Sequence, residues 1–492
     1  MRNDIAARAQ EIALDLTSWP SVTGSIDEVQ FAAKLAAYLK RFDKVWVSSI
    51  DNDPAKRSNV FALKHGRVRS TIVLTGHFDV VSIEDFGSLK NLAFQSEKLV
   101  PEIIAKLKGS GESPSALVDF ESGHFLPGRG LLDMKAGLAA GIAAAEFYSG
   151  DLSILFVAVS DEEERSAGAR SAASLLKNIA TENGLDIKLV INLDAISDQG
   201  DGSTGRVVTY GSIGKQLVTA FVHGKQTHAG YPQDGVNAAY VAAELITEFE
   251  LAVDLSECTQ GEVAAPPTAL YAKDLKQGYN VTTPAQAFVY WNTMQHQRSP
   301  AQVFELVMAH ARTAVERAKK RTGHEIELIT FAELEKRAGR KAHQQDAALN
   351  FPEQSRMATM ELVAAAHPTL PTVVMGFGSI PYPAVLMGDQ NLRRVIENAV
   401  QPFGIGSVNY FAGISDMSFF GEASGDLSVV AANTPIWGTG FSMPDAAGYP
   451  CINLGPWGRD YHQWLERLHA PYAFEVLPKA LLAVIDAVAK AG

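Results

Sequence analysis

Three apolar stretches of this 492-residue chain run straight into a histidine or an acid. Thr71–Thr75 leads into Gly76-His77-Phe78-Asp79, Leu152–Val159 into Ser160-Asp161-Glu162-Glu163-Glu164, and Ile187–Leu193 into Asp194. Short runs this rich in Val, Ile and Leu predict strands buried on both faces. Helical patterns alternate with them at Asp27–Phe42, Lys135–Tyr148 and Ala167–Asn178, and Pro450–Leu454 reads as a further strand. Such alternation predicts an α/β fold, a mostly parallel sheet with helices on both faces. In open sheets of that kind ligands bind beyond the carboxyl ends of the strands. Three strands are therefore expected to deliver a histidine and several carboxylates to one edge.

A single core stops growing at about 250–300 residues, so this length predicts at least two domains. Between Arg206 and Leu334 the pattern becomes strand (Leu217–Val222), helix (Asn237–Leu251), strand (Ala269–Ala272), strand (Ala287–Trp291), helix (Ala301–Arg321) and strand (Glu325–Phe331). That order is a ferredoxin-like α+β unit. With α/β pattern on either side, it is expected as an insertion at residues 206–334 between the two parts of the first domain, 1–205 and 335–492. Glu84–Pro127, with Gly109, Gly111, Pro114 and Gly123, is expected to be a loop-rich insertion near the ligand edge.

The formal net charge of -12 and the lack of any dense Lys/Arg run exclude a basic surface for nucleic acid or anionic lipid. Leu362–Gly388 is free of Asp, Glu, Lys and Arg, but His367, Pro368, Pro371, Pro381 and Pro383 prevent it from running as one membrane helix. Met1–Leu16 places Arg2, Asp4, Arg8 and Glu11 among its apolar residues, an amphipathic helix and not the apolar core of an export signal. The two cysteines, Cys258 and Cys451, are far apart and form neither a thiolate metal site nor a disulfide framework. A cytoplasmic protein is expected.

His77-Phe78-Asp79 sets a carboxylate two positions from a strand-end imidazole, where it can orient a metal-bound histidine. Asp133, in Gly128-Arg129-Gly130-Leu131-Leu132-Asp133-Met134-Lys135-Ala136-Gly137, lies between a glycine turn and a helix, placed to cap the helix or to bridge two cations. In the run Asp161–Glu164, adjacent carboxylates can divide the work, one binding an ion and the other accepting a proton. His462 follows the last strand in Gly455-Pro456-Trp457-Gly458-Arg459-Asp460-Tyr461-His462. Two histidines and three carboxylates without cysteine suit Zn²⁺, with Co²⁺ or Mn²⁺ as substitutes, and five such ligands match two ions sharing one carboxylate. No Gly-x-Ser-x-Gly elbow is present, and neither Gly214-Lys215 nor Gly224-Lys225 continues as a P-loop, so serine-hydrolase and NTPase chemistries lack support.

Taken in order, these motifs resemble the zinc-dependent aminoacylase, glutamate carboxypeptidase and succinyl-diaminopimelate desuccinylase family of metallopeptidases. Thr75–Val81 is similar to its first signature, Gly128–Gly137 to its second, and Asp161-Glu162-Glu163 with Ser166 and Gly168-Ala169-Arg170 to its third. The resemblance implies His77, Asp133, Glu163, Asp194 and His462 as metal ligands for two Zn²⁺, with Asp133 bridging and Asp79 orienting His77. It also implies Glu162 as the general base. His462 is preferred to His469 because of its distance from Gly455-Pro456 and because Glu466 lies four positions later. The middle unit resembles the family's lid, which commonly also dimerises, and Gly224–Asn237 resembles the stretch whose histidine reaches a partner's active site, which makes His228 a candidate oxyanion donor.

The chain departs from the family where a lid strand often carries Asp-x-Arg. Here Asn280-Val281-Thr282-Thr283-Pro284 leads only to Asn292-Thr293-Met294, and Arg298 would replace the arginine only with a shift of register. Glu84–Pro127 and Glu335–Gly404 are longer than in compact members, and these features look most like the arginine-utilization RocB branch. Gly413-Ile414-Ser415-Asp416 resembles a substrate-side loop. The expectation is a metallohydrolase acting on the amide or peptide bond of a small N-acyl amino acid or dipeptide. The alternative is a non-catalytic metal-binding or regulatory member of the same fold.

Overall fold

The computed structural model of the protein describes residues 4–411, 413–423, 425–441, 443 and 447–491. The chain divides into two compact units. The first comprises Met1–Ser212, Leu386–Glu422 and Pro444–Gly492, and the second Ile213–Val385 and Ala423–Met443.

The first unit is built on an eight-stranded sheet in the order Lys44–Ser49, Ser58–Lys64, Ser153–Val159, Ser70–His77, Asp186–Asn192, Cys451–Asn453, Val207–Thr209, Gly406–Val408. The four central strands, Ser153–Val159 through Cys451–Asn453, are parallel, as the alternating pattern predicts. Antiparallel pairs flank them, Ser58–Lys64 on one side and Val207–Thr209 on the other. Every residue of Ser153–Val159 is buried, so both faces of the sheet are covered. The helices Ile5–Thr17, Ala136–Phe147 and Leu477–Ala491 pack against one another. Ala136–Phe147 reads AGLAAGIAAAEF, and its small residues from Ala136 to Ala145 are all buried, which lets it lie close to its neighbours. No helix among the described residues is long and apolar enough to cross a membrane.

Glu84–Pro127 differs from the loop-rich expectation. It folds as a 3₁₀ segment Glu84–Leu92, helices Ser96–Ser110 and Pro114–Glu121, and a strand Phe125–Pro127. The glycine and proline that suggested a loop are instead helix boundaries: Gly111 ends one helix at φ 71° and Pro114 begins the next.

The second unit contains the expected strands and helices, now bounded as Gly214–His223, Ala238–Phe249, Thr268–Asp274, Gln286–Gln295, Pro300–Thr322 and Glu327–Thr330. Its sheet has a fifth strand, Thr372–Phe377, between Gly214–His223 and Glu327–Thr330, antiparallel to the first and parallel to the second. The unit therefore does not end at residue 334 as the sequence pattern suggested. All six residues of Thr372–Phe377 are buried, and an apolar strand of this kind is stable only inside a sheet.

Candidate metal centre

The ends of the central strands carry the site. His77 is the last residue of Ser70–His77 and is 2% exposed. Its Nδ1 lies 3.0 Å from the Asp79 carbonyl oxygen, which leaves Nε2 directed at Asp133 Oδ1, 3.1 Å away, with Asp194 Oδ1 at 3.9 Å. The other oxygen of Asp133, Oδ2, lies 3.1 Å from His462 Nε2, and that nitrogen lies 3.2 Å from Glu163 Oε2. Asp133 thus stands between two groups, His77 with Asp194 and His462 with Glu163. Among the described residues, His77, Asp133 and Glu163 each offer a ligand atom, all within 4.8 Å of one another.

Asp133 does not cap the following helix. It occupies a non-helical kink (φ -111°, ψ 96°) ahead of Ala136–Phe147, so its carboxylate is free to face both histidines. Two glycines allow the surrounding elements to close. A Cβ on Gly137 would sit 2.0 Å from the Leu193 carbonyl oxygen, and one on Gly455 would sit 2.0 Å from the Asp194 carbonyl oxygen. The helix behind Asp133 and the loop leading to His462 therefore both reach the strand end that bears Asp194. Asn453 brackets that strand end, its side chain accepting from Asp194 N–H and donating to the Asp194 carbonyl.

The four acids of Asp161–Glu164 point in different directions. Asp161 turns inward and pairs with the buried guanidinium of Arg57, which also bonds Asp53 at 2.7 Å and approaches Glu28 at 3.7 Å. Glu162 and Glu163 face the centre, and Glu164 pairs with Arg165 at the surface. Asp79 holds the middle of the run: its carboxylate accepts from the N–H groups of both Glu162 and Glu163 and from the Thr23 hydroxyl. Its carboxylate lies 3.7 Å from His77 Nδ1, so the imidazole is oriented mainly by the Asp79 backbone carbonyl.

The electrostatics of the cluster are those of crowded carboxylates. Burial pushes Asp194 up to about 8, with the Asp133 charge adding to it. Burial raises Glu162 well above the usual carboxylate value; the His77 charge opposes this, while Asp416, Glu163 and Asp194 reinforce it. Burial also raises Glu163. Asp133 goes the other way, because the hydrogen bonds to His462 and His77 outweigh its burial. Burial disfavours both imidazolium forms, yet Asp133 with Asp79 raises His77 well above its ordinary value, and Asp133 with Glu163 raises His462 to about 10. Crowding in this buried cluster disfavours ionising all of the carboxyls at once, and a divalent cation would relieve that penalty. The nitrogen and oxygen donors fit such an ion.

His469, the rival of His462, stacks on Trp457 at 4.6 Å between centroids and accepts a hydrogen bond from Tyr472 N–H. Burial, with the charges of His124 and Arg206, lowers it to about 4. Glu466 accepts from Gly130 N–H and from Arg129, which ties the last motif to the Asp133 turn. His228 belongs to the second unit, where it is exposed and its Nδ1 accepts from Gly230 N–H. The Arg298 guanidinium, in the same unit, donates to the Asp254 carbonyl.

Sequence reasoning missed three contributors. Asp416, in the segment that resembles a substrate-side loop, adds a buried carboxylate, raised to about 7 by burial. Glu28 and Arg57 neighbour the Asp161 turn from distant points in the chain, and neither stands in a recognisable motif.

Comparison with known proteins identifies the chain's relatives. Residues 209–322 match the peptidase dimerisation domain, and residues 59–239 match peptidase family M28. The uncharacterized protein YqjN of Bacillus subtilis is 32% identical over 96% of this chain and 95% of its own length. RocB of the same organism is 29% identical over 96% of this chain and 93% of its own length. Among solved structures, the M20 family metallo-carboxypeptidase Sso-CP2 from Sulfolobus solfataricus aligns over 99% of this chain and 100% of its own, with a TM-score of 0.56 at 12% identity. The chain belongs to the M20 family of metal-dependent peptidases and amidohydrolases, with RocB and YqjN among its relatives.

Proposed function

We propose that the protein is a di-zinc hydrolase that cleaves the amide or peptide bond of a small N-acyl amino acid or dipeptide and serves arginine catabolism. The observation that carries this reading is the position of Asp133, with one oxygen facing His77 and Asp194 and the other facing His462 and Glu163. Those five residues would hold two Zn²⁺, with Co²⁺ or Mn²⁺ as substitutes, and Asp133 would be shared. Bound there, the ions would supply Lewis acidity toward the scissile carbonyl and make water a stronger nucleophile near neutral pH. Glu162 accepts the proton of the attacking water and returns it to the leaving amine, a task suited to a carboxylate whose pKa is raised by burial and so holds a proton more readily. Asp79 fixes Glu162 by its peptide N–H, and His228 donates to the developing oxyanion. The sequence's resemblance to the arginine-utilization RocB branch supports the arginine assignment.

The second unit is proposed to join two copies of the chain. Its match to a dimerisation domain supports this, as do the exposed apolar side chains of Val263, Leu270, Tyr279 and Val281. Leu270 lies on Thr268–Asp274, an edge strand of the sheet.

Release of free amine from a panel of N-acyl amino acids and dipeptides, weighted toward arginine and ornithine derivatives, tests the proposal. Zinc-loaded wild type is expected to turn over a member of the panel. Glu162→Gln is expected to retain its metal and lose roughly two or more orders of magnitude in kcat. Full activity in Glu162→Gln would remove that residue from the mechanism, and silence of the wild type across the panel would favour the non-catalytic reading.

A further inference from the structure

The antiparallel ribbon that presents His462 places two arginines directly opposite each other. Trp457–Arg459 pairs with Arg467–His469, with Arg459 against Arg467, and residues 460–466 form the loop between them. Like charges at directly opposed positions force a ribbon apart unless an anion lies between them. Arg467 is 1% exposed, so water does not screen it. The anion is Asp119 on the helix Pro114–Glu121. Its two oxygens accept from Arg459 Nη1 at 2.8 and 2.7 Å, and Oδ2 also accepts from Arg467 Nε at 2.7 Å. The Arg467 guanidinium then reaches across the loop, donating to the Asp460 carboxylate and to the Leu465 carbonyl at 3.1 Å. Gln199 donates to the other oxygen of Asp460.

The loop needs such support. Asp460 and His462 both have left-handed backbones, φ 53° and 64°, a conformation that side-chain-bearing residues hold only when their surroundings impose it. The same insertion adds a strand to the ribbon, with Arg467 opposite Pro127, Leu468 opposite Leu126 and His469 opposite Phe125.

We propose that Asp119 is a positioning residue for His462: its carboxylate bridges Arg459 and Arg467 and so fixes the loop that holds the His462 imidazole 3.1 Å from Asp133. The segment 84–127 thereby supports one half of the metal centre. This rests on the metal-binding role proposed above for His462.

Zinc titration of the metal-free protein against a chromophoric chelator tests it, with wild type, Asp119→Asn, His462→Ala and the double variant compared. Asp119→Asn is expected to weaken by about 10- to 100-fold the same single ion that His462→Ala weakens, the range typical of residues that orient a metal ligand, and to leave the other ion at wild-type affinity. In the His462→Ala background Asp119→Asn should have little further effect. Turnover by Asp119→Asn should recover in excess zinc. Equal weakening of both ions, no weakening, or strictly additive losses would overturn the assignment. Should Asp119→Asn fail to fold, Arg459→Gln keeps the Asp119–Arg467 pair and is read by the same titration. A wild type that binds one ion counts against the di-zinc reading alone, and the positioning role is then decided by whether Asp119→Asn and His462→Ala weaken that ion non-additively. A wild type that binds none overturns both.

Discussion

The carboxylate of Asp79 accepts a hydrogen bond from the peptide N–H of Glu162, 3.1 Å away, and its other oxygen accepts one from Glu163 at 3.3 Å. One side chain at the end of the His77 strand therefore sets the backbone of the proposed base and of an adjoining ligand. Asp79→Asn keeps one acceptor oxygen but turns the other into a donor facing an N–H. We expect kcat to fall by at least tenfold and zinc affinity by about 10- to 100-fold, with Asp79→Glu recovering part of each. Steady-state kinetics with metal titration of both variants checks this, and unchanged constants would limit Asp79 to a packing role.

Arg57 is 4% exposed and is the partner of Asp53, Asp161 and Glu28. Its removal leaves buried carboxylates without a counter-charge, so Arg57→Met should cost about 3–5 kcal/mol of stability. Lysine offers a point charge where the site uses a planar fork, and Arg57→Lys should restore only part of the loss. Denaturant unfolding of the metal-free variants measures both.

The two candidate histidines of the last motif should separate cleanly. His469→Gln is expected to keep metal binding, whereas His462→Ala loses affinity for one ion. His469 also predicts a pH effect. Its pKa falls from 6.5 to about 4 on folding, so the unfolded chain binds the proton more readily. The stability it contributes is fully present above pH 6.5 and is lost as pH falls through about 4. In urea unfolding between these values, wild type should lose stability more steeply than His469→Gln, and parallel curves would refute the assignment.

Association through the second unit predicts a dimer by light scattering. Leu270→Lys puts a charge on the exposed face of an edge strand, so it should give a monomer with little change in thermal stability. A wild-type monomer with full activity would exclude any contribution of His228 across subunits.

The strand-end residues were legible because each depends on local sequence. An apolar run makes a buried strand, and the residue after it must emerge at the carboxyl edge, so His77, Glu163 and Asp194 were found together with their strands. The two-histidine arrangement around Asp133 was legible from motif order, although the kink that frees Asp133 from capping the helix was not. The insertion 84–127 was misread because glycine and proline mark helix ends as readily as loops.

Alternation of apolar strands and helices, together with the residues at the strand ends, determined by sequence alone that the protein has an α/β fold with a mostly parallel sheet and a carboxylate-rich strand edge. The tertiary structure alone decided that Thr372–Phe377 completes the second unit's sheet, that Asp161 turns away from the centre toward Arg57, and that Asp119 lies between Arg459 and Arg467. Propensity and periodicity act between near neighbours in the chain, whereas strand order and the pairing of buried charges arise from contacts across tens to hundreds of residues. Those partners become identifiable only when the packed core has brought them together.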